Sequence, residues 1–212
     1  RLALLLLLSP FLLSRLFAQD DTSTVKTPEI SLAGGISFPY LPGQFQDYWK
    51  KGWNVDAGYG YSFSPGTIGY SSVLATMEYA RSAFDITAFK SQLNLGQKKI
   101  AVTNNPTSVL SLMLIYKGTF SPSKRMLAPY FLFGFGYFHL SEGTIGVSGD
   151  TAFTITGQSR TAFGWTAGVG VELPITESIR FFIQAKSVLG VIDPVRQYFP
   201  ISGGFSYRFP ER

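Results

Sequence analysis

Apolar and polar side chains alternate along much of this chain, in about eight separate stretches. Between Gly52 and Phe63, Trp53, Val55, Tyr59, Tyr61 and Phe63 share one parity, and Asn54, Asp56, Gly58, Gly60 and Ser62 share the other. A strand sends successive side chains to opposite faces, so each stretch has one apolar side and one polar side. In a soluble sheet the apolar side would be a core. Here the apolar parity carries most of the aromatics, and the opposite parity carries glycines and charges, which suits a barrel turned inside out.

Alternation and turn chemistry place strands at Ile30–Phe38, Gly52–Phe63, Ile68–Phe84, Ser108–Phe120, Leu127–Leu140, Arg160–Leu173, Ile179–Val191 and Phe199–Phe209. The connections are sorted by length. Tight turns at Ser64–Thr67, Ser121–Lys124 and Thr176–Ser178 follow the second, fourth and sixth strands. Longer loops, Pro39–Lys51, Asp85–Thr107 and Ser141–Ser159, follow the first, third and fifth, and Ile192–Tyr198 is intermediate. The fold class expected is therefore all-β: an eight-stranded antiparallel up-and-down transmembrane β-barrel with short periplasmic turns and long extracellular loops. Within the third loop Thr151–Thr156 also alternates, which predicts a hairpin that prolongs the fifth and sixth strands.

Aromatic positions agree with this reading. Trp53, Phe163, Trp165 and Tyr137 fall near the loop-bearing rim, and Tyr61, Phe63, Tyr116, Phe131, Tyr207 and Phe209 near the other, as two interfacial girdles require. The inward parity holds Asp56, Glu78 and Glu172 together with Lys117, Arg180, Lys186 and Arg208. An eight-stranded lumen is just wide enough for its own side chains, so these charges are expected to pair and plug it. Glu172 and Arg180 flank one tight turn with matching parity and form the best single pair.

The first 18 residues, with Arg1 before an apolar run and Leu16-Phe17-Ala18 as a small-residue site, read as a cleaved secretory signal peptide. Residues 19–29 read as a periplasmic N-terminal segment, 30–209 as the barrel and 210–212 as a C-terminal tail. No later apolar run reaches the roughly 20 residues that a spanning helix needs. The chain has no cysteine and one histidine, which excludes thiolate chemistry and any site needing two imidazoles. No metal-spaced cluster, phosphate loop or nucleophile elbow is present, and no cofactor is expected. The basic pairs Lys50-Lys51, Lys98-Lys99 and Lys124-Arg125 lie in loops and turns. Anionic head groups or surface polysaccharide would suit them as partners, but no stretch is dense enough to count as a basic patch, and simple solvation is the favoured reading.

The chain resembles the small eight-stranded outer-membrane barrels of the OmpA and OmpX type. Its most specific motif is the final strand, where Ser202, Gly204, Tyr207 and Phe209 match the barrel-assembly signal; Pro210-Glu211-Arg212 beyond the aromatic departs from the usual ending. The resemblance implies a bacterial outer-membrane location. It also implies contact with outer-membrane lipid and lipopolysaccharide, recognition by barrel-assembly machinery, a monomeric state and no nucleic-acid partner. His139 and Ser141, an H-x-S step at the end of the fifth strand, resemble part of the nucleophilic triad of the outer-membrane lipid A deacylases, without an evident third member. The expected role is structural, adhesive or ligand-binding through the external loops, and not enzymatic. The alternatives are a lipid A-modifying hydrolase, a narrow pore and a secreted lipocalin-like carrier.

Overall fold

The computed structural model describes residues 26–42, 49–63, 69–92, 100–120, 127–149 and 152–209. The signal peptide, Lys98-Lys99, the turns at 64–67 and 121–124, and the tail at 210–212 lie outside these residues. Eight long strands form the wall: β1 (Lys26–Leu41), β2 (Gly52–Phe63), β3 (Gly69–Ser82), β5 (Thr107–Phe120), β6 (Ala128–Ser141), β9 (Ser159–Pro174), β10 (Ile179–Gly190) and β11 (Arg196–Arg208). Every neighbouring pair is antiparallel, and β1 closes on β11 from Glu29↔Arg208 to Leu41↔Gln197. Closure removes both sheet edges.

The exterior is apolar. Leu32, Trp53, Val55, Tyr59, Met77, Leu114, Phe135, Phe163, Trp165, Val169 and Phe205 are all exposed on the outward parity. The girdle residues Tyr61, Tyr116, Phe131, Tyr137 and Phe209 are exposed on it too. A water-facing surface does not gather this much contiguous apolar area.

The structure differs from the sequence expectation in three places. First, β1 begins at Lys26, so Glu29 belongs to the wall and not to the N-terminal segment. Pro28, which lacks an N–H, disguises the first residues of this strand. Second, the lumen is not uniformly polar. Phe138 and Leu140 are fully buried with inward parity, and they pack with Met113, Val109, Val188 and Ile192. The Phe138 ring fits because a Cβ at Gly190 would lie 2.4 Å from it, and Tyr130 occupies the equivalent space left by Gly170.

Third, the loops are folded. A helix α1 (Ile86–Gln92) and three short strands, β4 (Ile100–Asn104), β7 (Ile145–Gly149) and β8 (Phe153–Ile155), form a lobe beyond the loop-bearing rim, with sheet order β4-β7-β8. The hairpin expected around Thr151–Thr156 is present as β7–β8, but it leaves the barrel strands and pairs with β4. Glu142–Thr144 and Thr156–Gln158 break the run, so β6 and β9 end at Ser141 and Ser159.

Candidate functional site

Two places hold chemistry: the charged lumen and the outer lobe. Each barrel strand presents one inward side chain in every two residues, so eight strands can converge on one cluster. They do so near the short-turn end. Glu29 from β1 accepts from Lys117 Nζ of β5 at 2.8 Å and from Arg208 Nε of β11 at 3.1 Å. Ser62 of β2 donates to the same carboxylate. Glu172 of β9 meets Lys117 at 2.8 Å, Arg180 of β10 at 3.7 Å and Arg208 at 3.9 Å.

Tyr70 of β3 donates to Glu172, and the Arg208 guanidinium stacks 3.6 Å from its ring centroid. Tyr130 of β6 lies under Lys117, with Nζ 5.5 Å from the ring centroid. All eight barrel strands thus contribute to one network. Glu29 and Glu172 are fully buried, and such ions persist only when paired and hydrogen-bonded.

A second cluster sits on the other side of a cavity of about 30 Å³, room for a single water. There Lys186 pairs with both Asp56 and Glu78, and Tyr198 donates to Glu78 at 2.9 Å. Asp56, Glu78, Lys117, Glu172, Arg180, Lys186 and Arg208 all face the lumen, and the structure divides them between the two clusters. Glu172 and Arg180 meet across their turn, but Arg180 is peripheral, and Lys117 bridges the two buried carboxylates. With Glu29 included, four carboxylates face four cations in the lumen. Sequence reading missed Glu29, Tyr70 and Tyr198. Continued alternation through Ser31 and Ser72 was the available signal for the first two.

The lobe is held by its own apolar cluster. Phe84, Phe89, Ile145 and Val147 are buried, with Trp49, Ile86 and Val102 packed around them. The Trp49 and Phe84 rings meet edge-on at 5.2 Å and join the first loop to the second. Asp85 caps α1 by accepting from the amides of Thr87 at 3.0 Å and Ala88 at 3.1 Å. The Ala88 amide, helped by the Lys50 ammonium 3.6 Å away, holds the Asp85 carboxyl below the ordinary aspartate range. β8 is exposed at all three residues and forms an open sheet edge.

His139 and Ser141 sit on the outward parity of β6 near the lobe. His139 Nδ1 is 2.8 Å from the Thr161 hydroxyl, and Ser141 Oγ is 3.5 Å from Ser159 Oγ. Among the described residues no hydrogen bond joins His139 to Ser141, and no carboxylate bonds the imidazole. At the end of β11, Ser202 is buried, Gly204 faces inward against Ala33, and Tyr207 stacks edge-on with Phe209 at 5.0 Å.

A closed, inside-out, eight-stranded barrel with a filled lumen defines a small outer-membrane β-barrel protein. The family model described as outer membrane protein beta-barrel domain matches residues 4–209, and the chain belongs to that family. Among solved structures it is similar to Ail, the attachment invasion locus protein of Yersinia pestis, in complex with the heparin analogue sucrose octasulfate. The identity is 17%, over 87% of this chain and 99% of that one, with a TM-score of 0.47. It is also similar to the N-terminal barrel domain of Pseudomonas aeruginosa OprF, at 12% identity over 88% and 100% with a TM-score of 0.45. The outer membrane enzyme PagL matches at 14% identity over 84% and 98%, with a TM-score of 0.43. No curated protein matches the chain.

Proposed function

We propose that this outer-membrane barrel is a non-catalytic surface protein whose outer lobe contacts ligands or neighbouring surfaces, with the barrel as its rigid mount. The lobe carries the proposal: three loops converge on one apolar cluster and present β8 as an exposed edge. Binding residues favour loops held by a rigid scaffold, and an open edge accepts a partner strand through backbone hydrogen bonds. The excess of Lys and Arg, 18 against 13 acids with only Arg1 and Arg15 of the 18 in the leader, suits an anionic surface polysaccharide. The non-catalytic part is supported by His139 bonding Thr161, since an activated serine needs its base within hydrogen-bond reach. The proposal includes removal of residues 1–18 as a secretory leader, assembly through Ser202, Gly204, Tyr207 and Phe209, and a monomeric state.

Replacing residues 85–106 and 143–157 with short turns tests it. Trimmed protein is expected to keep the faster migration of a folded barrel on unboiled gels. Cells carrying it are expected to lose binding to host surfaces and polysaccharide. Equal binding by trimmed and full-length protein overturns the role of the lobe.

A further inference from the structure

The loop-bearing half of the lumen leaves polar atoms and charge unmatched in the same place. Asp56 faces Glu78 across the ladder, and Asn54 is the next inward residue toward the loop-bearing rim. Asn54 is fully buried, and neither its carboxamide oxygen nor its nitrogen has a hydrogen-bond partner among the described residues. The ladder gives the reason: its neighbours are Gly35 on β1 and Ala80 on β3, which carry no polar side chain. Ser37, one inward step above Gly35, shares this situation. Its buried hydroxyl has no partner among the described residues, and its ladder neighbours are Gly52 on β2 and Pro200 on β11. The charges below them do not balance. Lys186 meets two carboxylates, Asp56 and Glu78, and neither has a second cation among the described residues, so the cluster keeps a surplus negative charge. The lower cluster has the opposite surplus, three cations against two carboxylates, but it lies across the small cavity, with Arg180 and Arg208 near the short-turn mouth.

We propose that this half of the lumen binds a monovalent alkali cation, with the Asn54 carboxamide oxygen and the Ser37 hydroxyl as neutral ligands above the Asp56 and Glu78 carboxylates. Oxygen ligands suit hard cations, sodium and potassium among them. A single positive charge cancels the surplus, whereas a divalent ion would replace it with one of the opposite sign. The ion also takes up two buried oxygens that the ladder leaves unmatched, each of which otherwise bears its full desolvation cost. Water carried by the ion accepts from the Asn54 amide nitrogen. Gly52 and Ser82, whose hydroxyl lies against the bare Gly52 backbone, continue this side up to the rim, so the ion enters from the loop-bearing end. Phe138, Leu140, Val188 and Ile192 fill the facing side. Beneath the ion, the Lys186 ammonium and the lower cluster bar the way, which makes the site a dead end and not a pore.

The barrel refolded in lipid vesicles and unfolded with urea provides the test. Sodium or potassium chloride replaces choline chloride at constant ionic strength, so that screening stays the same. The folding constant is expected to rise by a factor of one plus the ion concentration over its Kd, about tenfold at about nine times Kd. The double variant S37A/N54L keeps Lys186 and both carboxylates and is expected to lose this dependence. S206A removes a buried unpartnered hydroxyl near the other end of the lumen and is expected to keep it. In the unaltered protein the side-chain amide resonances of Asn54 are expected to shift saturably with the same cation and to ignore choline. A folding constant equal in all three salts overturns the site, as does an unchanged ion dependence in S37A/N54L. Should unboiled gels show that the double variant does not fold, the Asn54 titration decides alone, and resonances that do not respond overturn the proposal.

Discussion

Glu29 shows how much one buried carboxylate can organise. It is fully buried and holds Lys117, Arg208 and Ser62 at once, so its removal leaves two cations short of a counter-charge in the lumen. Glu29→Ala is expected to destabilise the barrel by about 3–5 kcal/mol in urea unfolding from lipid vesicles, whereas Lys50→Ala in the lobe is expected to cost under about 1 kcal/mol. Alternation made most of the lumen charges legible in the sequence, because parity alone separates Asp56 from Val55. It failed at Glu29, where Pro28 masks the strand, and at Tyr70, where an aromatic on the inward parity looks like an irregularity until Arg208 is seen against its ring. Asp85 gives a pH signature. Its folded carboxyl is held below the usual aspartate range, so the cap is fully present above the unfolded value and is lost as pH falls through the folded one. Protection of the Thr87 and Ala88 amides from exchange, relative to an unstructured chain at the same pH, is expected to fall only in that acid window, and in D85A to be absent at every pH.

At the scale of elements, the long strands were readable, and of the lobe only the hairpin around Thr151–Thr156 was, without its pairing to β4. Each of the eight wall strands has a counterpart in the alternation, with ends displaced by a few residues. The rest of the lobe escaped because β4, Ile-Ala-Val-Thr-Asn, has no clean alternation, and α1 is too short to show a helical period. Both exist because their apolar residues meet Phe84 and Ile145 from distant parts of the chain, which no local pattern reports. Phe84, ringed by Trp49 and Phe89, holds this lobe together. Phe84→Ala is expected to remove about 3–5 kcal/mol of local packing. Proteases added to intact cells then nick the loops, while unboiled-gel mobility stays that of the folded barrel. Unchanged resistance to proteolysis overturns the claim that the lobe has a core of its own.

At the scale of the molecule, two ion clusters and the Phe138 layer occupy the lumen, and the cavity of about 30 Å³ between the clusters is too small for a continuous water column. Planar bilayers containing the protein are expected to show no stepwise current, and reproducible steps would favour the narrow-pore alternative. The composition of the lower cluster has a consequence for assembly. Glu29 is contributed by the first strand and Arg208 by the last, directly across the closing seam, and all six strands between them supply a neighbour. Until the last strand docks, Glu29 lacks Arg208 and the ring of charges is open toward lipid. A half-closed intermediate therefore carries unneutralised ions where water cannot reach them, and each added strand relieves only part of that burden. Completion of the wall therefore also completes the neutralisation of its contents: the strand that closes the seam brings the Arg208 charge that Glu29 faces across it.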